Sequence, residues 1–175
     1  MKRLWVPLIL FLIVILEGVA LELLPARLVT GDLLIIPHWA FVYLVYVLIF
    51  YDKENTHTSV FYAAIFGFMI DVVYTGVLGV YMFTYALIVY IVHGLKSLLH
   101  ANFYVVLLLG FLGIALSDFM IYFVFLIIDI TEMTISHYIL YRSLPTILAN
   151  LLFLLILYPF VRKPLIRWQE EQLRG

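Results

Sequence analysis

From Val60 to Val92 the chain carries a single charged residue, Asp71, in an otherwise apolar run. As one helix at about 1.5 Å per residue, that run would be about 50 Å long. The hydrocarbon layer of a bilayer is about 30 Å thick. The run therefore reads as two crossings joined by a tight turn. "YTGVLG", Tyr74 to Gly79, supplies that turn, because its two glycines can end one helix and open the next.

Similar runs recur along the whole chain. It is 66% hydrophobic and 12% charged over 175 residues, with a mean hydropathy of +1.16. A water-soluble domain of this size has too little core to hide so much apolar surface, so lipid must be the solvent. The expected fold is an all-α integral membrane protein, a compact bundle of six transmembrane helices. Span one covers Leu4 to about Leu24 and reads as a retained helix, since no small-residue cleavage site follows it. "PARLVTGD" breaks the pattern with Pro25, Gly31 and Asp32. Span two runs from about Leu33 to Tyr51, with Pro37 near its start, where a missing N–H is tolerated. Spans three and four flank the hairpin at Gly76 and Gly79. Span five is about Asn102 to Ile128 and span six about Tyr138 to Val161. Residues 1–161 thus form one membrane domain. Residues 162–175 form a cytoplasmic basic tail with a weak amphipathic stripe of Leu165, Ile166, Trp168 and Leu173.

Six crossings place both termini on one side. With that side cytoplasmic, Lys2, Arg3, Lys53, Lys96, Arg162, Lys163, Arg167 and Arg174 lie inside and only Arg27 and Arg142 outside. This distribution follows the positive-inside rule. Cysteine is absent, which excludes disulfides, thiol catalysis and thiolate metal sites.

The ionisable residues within the spans carry the most information, because each is costly in lipid and normally faces the bundle interior or a wet cavity. Counting along the helices places Glu17, Asp71, Asp118 and Arg142 in the outer half of the membrane, with Arg142 the one basic partner available to the acids. Two readings stand. The four could line an outward-opening polar pocket. Alternatively, Asp71 could bond free backbone groups of the hairpin, Glu17 could stay wet near the surface, and Asp118 with Arg142 could pin two helices.

Signs of catalysis are lacking. His38, His57, His93, His100 and His137 lie mostly at span ends and make no ligand-spaced pair. No P-loop, nucleophile elbow or dinucleotide motif occurs, and Ser117 has no neighbouring histidine in sequence. No catalytic, cofactor or metal site is expected, and no nucleic-acid partner. Gly18, Gly67, Gly76, Gly79, Gly110 and Gly113 are small positions that allow helices to approach closely, either within the chain or against a partner. Gly67 and Asp71 share one helix face. Trp5, Trp39 and Trp168 fit interfacial anchoring belts.

The stretch "GFMIDVVYTGVLGVYMFTYALIVYIV", with Gly67, Phe68, Asp71, Gly76, Leu78, Gly79 and Tyr81 in that order, resembles the signature of the rod shape-determining protein MreD family. The layout agrees over the whole chain: six spans, a proline opening span two, a hairpin at this point and a basic tail. The resemblance implies a non-enzymatic component of the bacterial elongation machinery in the inner membrane. Its partners would be an MreC-like membrane protein and, with it, MreB, RodA and a class B penicillin-binding protein. Gly67, Asp71, Gly76 and Gly79 become candidates for structural or partner-binding roles. The family also looks similar in fold to the substrate-binding S-components of energy-coupling-factor transporters. From that likeness comes an alternative, a small-solute-binding subunit using Glu17, Asp71, Asp118 and Arg142.

Overall fold

A computed structural model describes residues 4–23, 33–53 and 56–174. Lys2, Arg3, Pro25, Arg27, Gly31 and Asp32 of the sequence reading lie outside the described residues. All the regular secondary structure of the described residues is helical. In order it contains α1 (Trp5–Leu23), α2 (Trp39–Phe50), α3 (Thr58–Ile70), α4 (Val80–Lys96) and α5 (Phe103–Ile127). The last, α6, begins with a short turn (Ile135–His137), continues through a π-helical turn (Tyr138–Ser143) and runs on as Leu144–Arg174. A second π turn, Asp71–Thr75, extends α3 into the hairpin. Four of these helices are long and apolar enough to cross a membrane, whereas α2 and α4 are shorter.

Helix α2 is the centre of the bundle. Its sequence, "WAFVYLVYVLIF", is apolar on every side, the pattern of a helix with no solvent face. Every residue from Ala40 to Phe50 is buried, and α2 touches each of the other five helices. The remaining helices expose long apolar side chains outward, among them Leu8, Phe11 and Leu12 of α1 and Leu148, Leu152 and Ile156 of α6. In lipid such a surface is at no cost.

Span two differs from the sequence reading. The helix starts at Trp39, and residues 34–38 form no helix. Pro37 sits ahead of the first helical residue because a proline pushes the residue before it, here Ile36, out of the helical region. The freed backbone groups are met by α6. Leu34 N–H donates to the Tyr141 carbonyl at 2.8 Å, Ile36 N–H to Thr146 Oγ1 at 3.1 Å and His38 N–H to Asn150 Oδ1 at 2.7 Å. Asn150 Nδ2 returns a bond to the Ile36 carbonyl at 2.8 Å. Non-helical backbone at membrane depth is tolerated only when protein satisfies it in this way.

The hairpin between α3 and α4 turns on Gly76 and Gly79, whose φ angles of +67° and +97° lie in the left-handed region that a Cβ disfavours. The stretch from 162 onward continues α6 without a break, and Leu165 within it is buried.

Candidate functional site: a buried polar cluster

The short helices α2 and α4 begin beside other helices, and the first amides of any helix have no partner within it. Buried acids from neighbouring elements supply what is missing. Glu17 of α1, 4% exposed, accepts the Ala40 N–H at the start of α2 through Oε2 at 3.0 Å. Asp71, fully buried, reaches across the hairpin to the start of α4. Its Oδ2 accepts from Gly79 N–H at 2.9 Å and Met82 N–H at 3.1 Å, and its Oδ1 from Tyr81 N–H at 2.8 Å. A carboxylate at that position also meets the positive end of the helix dipole.

The π turn that begins at Asp71 closes with Gly76 N–H on the Asp71 carbonyl at 3.0 Å. Thr75 Oγ1 adds a bond to the same carbonyl at 3.1 Å. Both faces of this residue, side chain and main chain, are therefore tied into the hairpin.

Asp118 of α5 meets a different set. Tyr138 O–H donates to its Oδ2 at 2.8 Å. Its Oδ1 lies 3.4 Å from Arg142 Nε and Nη2 and 3.6 Å from His38 Nε2. All four residues are buried. At 3.4 Å the Arg142 contact is longer than a tight two-pronged ion pair, and the phenol makes the shortest bond to the carboxylate. His38 Nδ1 in turn pairs with Tyr85 O–H at 2.9 Å, and Tyr85 packs edge-on against Tyr81 at 5.4 Å. Tyr138 stacks on Tyr122 at 3.9 Å. Two of the four members, Tyr138 and Arg142, come from the second π turn. Single π turns inside helices occur most often where a functional geometry holds them.

The four residues expected from sequence thus do three separate things. Asp118 and Arg142 are brought together, while Glu17 and Asp71 each serve a helix start. Tyr81 touches two parts of the cluster: its N–H donates to Asp71 and its ring centroid lies 6.3 Å from that of His38. Sequence reasoning missed His38, Tyr85 and Tyr138 as members, and missed Thr146 and Asn150 as holders of the non-helical segment ahead of α2. A signal existed for the last two: polar residues four apart on an apolar helix share a face. His38 was read as a span-end residue, because its depth depends on the late start of α2.

Four of the six small positions are close approaches within the molecule, while Gly76 and Gly79 have open space around them. A Cβ on Gly67 would come within 2.7 Å of the Tyr81 carbonyl oxygen and 2.8 Å of the Met82 backbone. On Gly18 it would strike Tyr74, on Gly110 Leu154 and on Gly113 Phe41. A sizeable concavity lies elsewhere. It is an apolar groove of about 500 Å³ whose walls include Ala20, Pro37, Trp39, Ala149, Asn150 and Phe153. None of the four expected ionisable residues lines it. Among the described residues no group of three His, Cys, Asp or Glu side chains could hold a metal ion.

The family described as "rod shape-determining protein MreD" matches residues 2–167. A curated relative, the rod shape-determining protein MreD of Bacillus subtilis (strain 168), is 32% identical over 157 residues, covering 90% of each chain. No solved structure matches the chain. A match over nearly the whole length, together with a relative of that identity and coverage, establishes that the chain belongs to the MreD family of rod shape-determining proteins.

Proposed function

We propose that this protein is a non-enzymatic scaffold of the rod elongation complex. It would bind an MreC-like membrane protein and help to position the enzymes of peptidoglycan synthesis, with MreB, RodA and a class B penicillin-binding protein in the same assembly. Family membership supplies the role in rod shape. The observation that favours a scaffold over a solute-binding subunit is that Glu17, Asp71 and Asp118 spend their carboxylates on this chain's own donors. A solute pocket needs polar groups left over for the solute.

In this proposal all six helices cross the inner membrane with both termini in the cytoplasm. The contacts support a common end for the basic residues. Lys96 Nζ donates to the Asp52 carbonyl at 2.7 Å and Gln169 Nε2 to the same oxygen at 3.4 Å. The α2–α3 turn, the end of α4 and the last turns of α6 therefore meet, which gathers Lys53, Lys96 and Arg167 at one end. The partner face would be the apolar groove, where Ala20, Pro37 and Ala149 leave room for a helix between the stacked rings of Trp39 and Phe153, 4.7 Å apart, and the end of α1.

The test is co-purification of the tagged protein from its native membrane in mild detergent, alongside an Ala149→Trp variant that fills the groove. An MreC-like protein and elongation enzymes should accompany the wild type and be lost from a variant that unfolds at the wild-type temperature. Recovery of an ATPase and a coupling subunit instead would replace this reading with the S-component-like one.

A further inference from the structure

At the end of the bundle where Lys53, Lys96 and Arg167 gather, a further acid is buried. Asp52, in the turn between α2 and α3, is 1% exposed. Its Oδ2 accepts both the Ser59 N–H, at 2.9 Å, and the Ser59 O–H. Its Oδ1 is buried with no hydrogen-bond partner among the described residues. The same holds for Nδ1 of His93, in the last turn of α4. These two residues belong to elements already in contact. Lys96, three residues after His93 and so on the same helix face, donates to the Asp52 carbonyl at 2.7 Å. The His93 ring lies 4.8 Å from that of His57, which stands two residues before Ser59.

Each unpartnered atom is costly, and one proton would relieve both. A charged imidazole beside an ionised carboxyl, or a neutral one beside a neutral carboxyl, leaves one hydrogen to share between them and no net charge. With no proton, a lone carboxylate stays buried. With two, a lone cation is left beside Lys96. Burial pushes the Asp52 carboxyl above its ordinary range, against the bonds from Ser59, so this turn favours keeping a proton. A proton also has a way in, because His93, Lys96 and Ser97 line a cavity of about 100 Å³.

We infer that Asp52 and His93 form a latch closed by a single proton, which fastens the end of α4 to the α2–α3 turn. The bond between Oδ1 and Nδ1 is unmade in this structure. Among the described residues, the other titratable groups around the pair are Lys53 beside Asp52, His57 and Tyr62 from the start of α3, and Tyr90 and Lys96 from α4. Of these, Lys53, Lys96 and a charged His57 oppose charge on His93, and Asp52 favours it. Helix α6 meets the turn through the neutral Gln169, whose Nε2 is 3.4 Å from the Asp52 carbonyl, so closing the latch also steadies the last turns of α6. In the proposed topology this end faces the cytoplasm and the latch closes as the cytoplasm acidifies. The latch itself does not rest on that topology or on the groove assigned to a partner helix.

Amide hydrogen exchange of the full chain in mild detergent, corrected for the intrinsic effect of pH, reads the latch. Between pH 8 and pH 6 the amides of residues 57–61 and 93–97 should become about tenfold more protected, the gain from one charge-assisted hydrogen bond. The Tyr81 amide, bonded to Asp71 at the other end of α4, should not respond and reports whether each variant has folded. Asp52→Asn and His93→Gln should each abolish the rise, while His57→Gln keeps it. A flat profile in the wild type would overturn the proposal whatever the variants do. So would a rise that survives Asp52→Asn or His93→Gln, or one that His57→Gln removes, or one shared equally by Tyr81.

Discussion

If Asp71 is the acceptor that starts α4, removing it should unfold the hairpin in the isolated protein, with no partner present. The size follows from its three bonds. The Tyr81 amide is buried, whereas those of Gly79 and Met82 are only partly so. Leaving a buried amide without an acceptor costs about 2–3 kcal/mol, and a partly wetted one about 1 kcal/mol. Asp71→Leu should therefore destabilise by about 4–5 kcal/mol. Asp71→Asn keeps one oxygen, which can serve the Tyr81 amide, but turns a donating NH2 toward Gly79 and Met82. Its cost should be about 2 kcal/mol.

The assay is unfolding of the purified chain in mild detergent, followed by far-ultraviolet circular dichroism against a titrated denaturing detergent. The order wild type, Asn, Leu is the expected result. An Asp71→Leu protein within about 1 kcal/mol of wild type, smaller than the loss of a single buried bond, would refute the clamp. If the same variant then lost its partners, Asp71 would belong to a docking face instead.

Other perturbations separate the remaining assignments. Gly67→Ala presses a Cβ against the Tyr81 and Met82 backbone, which cannot move aside as a side chain can, and should cost about 2–3 kcal/mol. Gly76→Ala has open space and only the strain of φ +67°, so about 1 kcal/mol is expected; equal losses in unfolding titrations would contradict the close approach. Removing either Asp118 or Arg142 alone should cost about 3–5 kcal/mol, and removing both by apolar replacement should cost less than the sum. Strict additivity in that double-mutant cycle would mean that the two do not pair. Burial pushes the Asp52 carboxyl above its ordinary 3.8, opposed by its bonds from Ser59. The folded state thus holds the proton more tightly, so the contribution of Asp52 to stability is fully present below 3.8 and is lost as pH rises through the folded value. The difference between wild type and Asp52→Asn in unfolding midpoint should shift across that window, and a pH-independent difference would reject it.

How far the sequence reached depended on whether the partner of a residue is itself a side chain. Asp118 and Arg142 could be matched because one basic residue was available at the right depth. Gly76 and Gly79 marked the hairpin because left-handed backbone favours glycine over other residues. Asp71 could be read as an acceptor for free backbone groups of the hairpin because Gly76 and Gly79 mark that turn a few residues on, whereas Glu17, read as a residue that stays wet, is buried on the Ala40 amide, and no letter of the sequence marks where a helix begins inside an apolar run. The same gap displaced the start of α2. Pro37 is acceptable as a first helical residue, but it also bars Ile36 from the helix. What decided between the two was Thr146 and Asn150, more than a hundred residues away, holding residues 36–38 outside the helix.

These helix starts explain why so apolar a chain keeps buried acids at all. A helix of 12 residues spans about 18 Å, less than the hydrocarbon layer, so an α2 set across a bilayer must begin inside it. Lipid offers nothing to its first amides, and a serine or threonine cap on the helix itself is absent. Glu17 and Asn150 fill that role for α2 from two other helices, and Asp71 fills it for α4 from across the hairpin. Each cap therefore ties elements together as well as ending a helix, and each is useful only when the neighbouring helix is in register. Such contacts specify one arrangement of helices in a medium where apolar packing alone discriminates weakly. In the proposed scaffold these acids are engaged with the chain's own donors, and recognition of other molecules would fall to its outer surface.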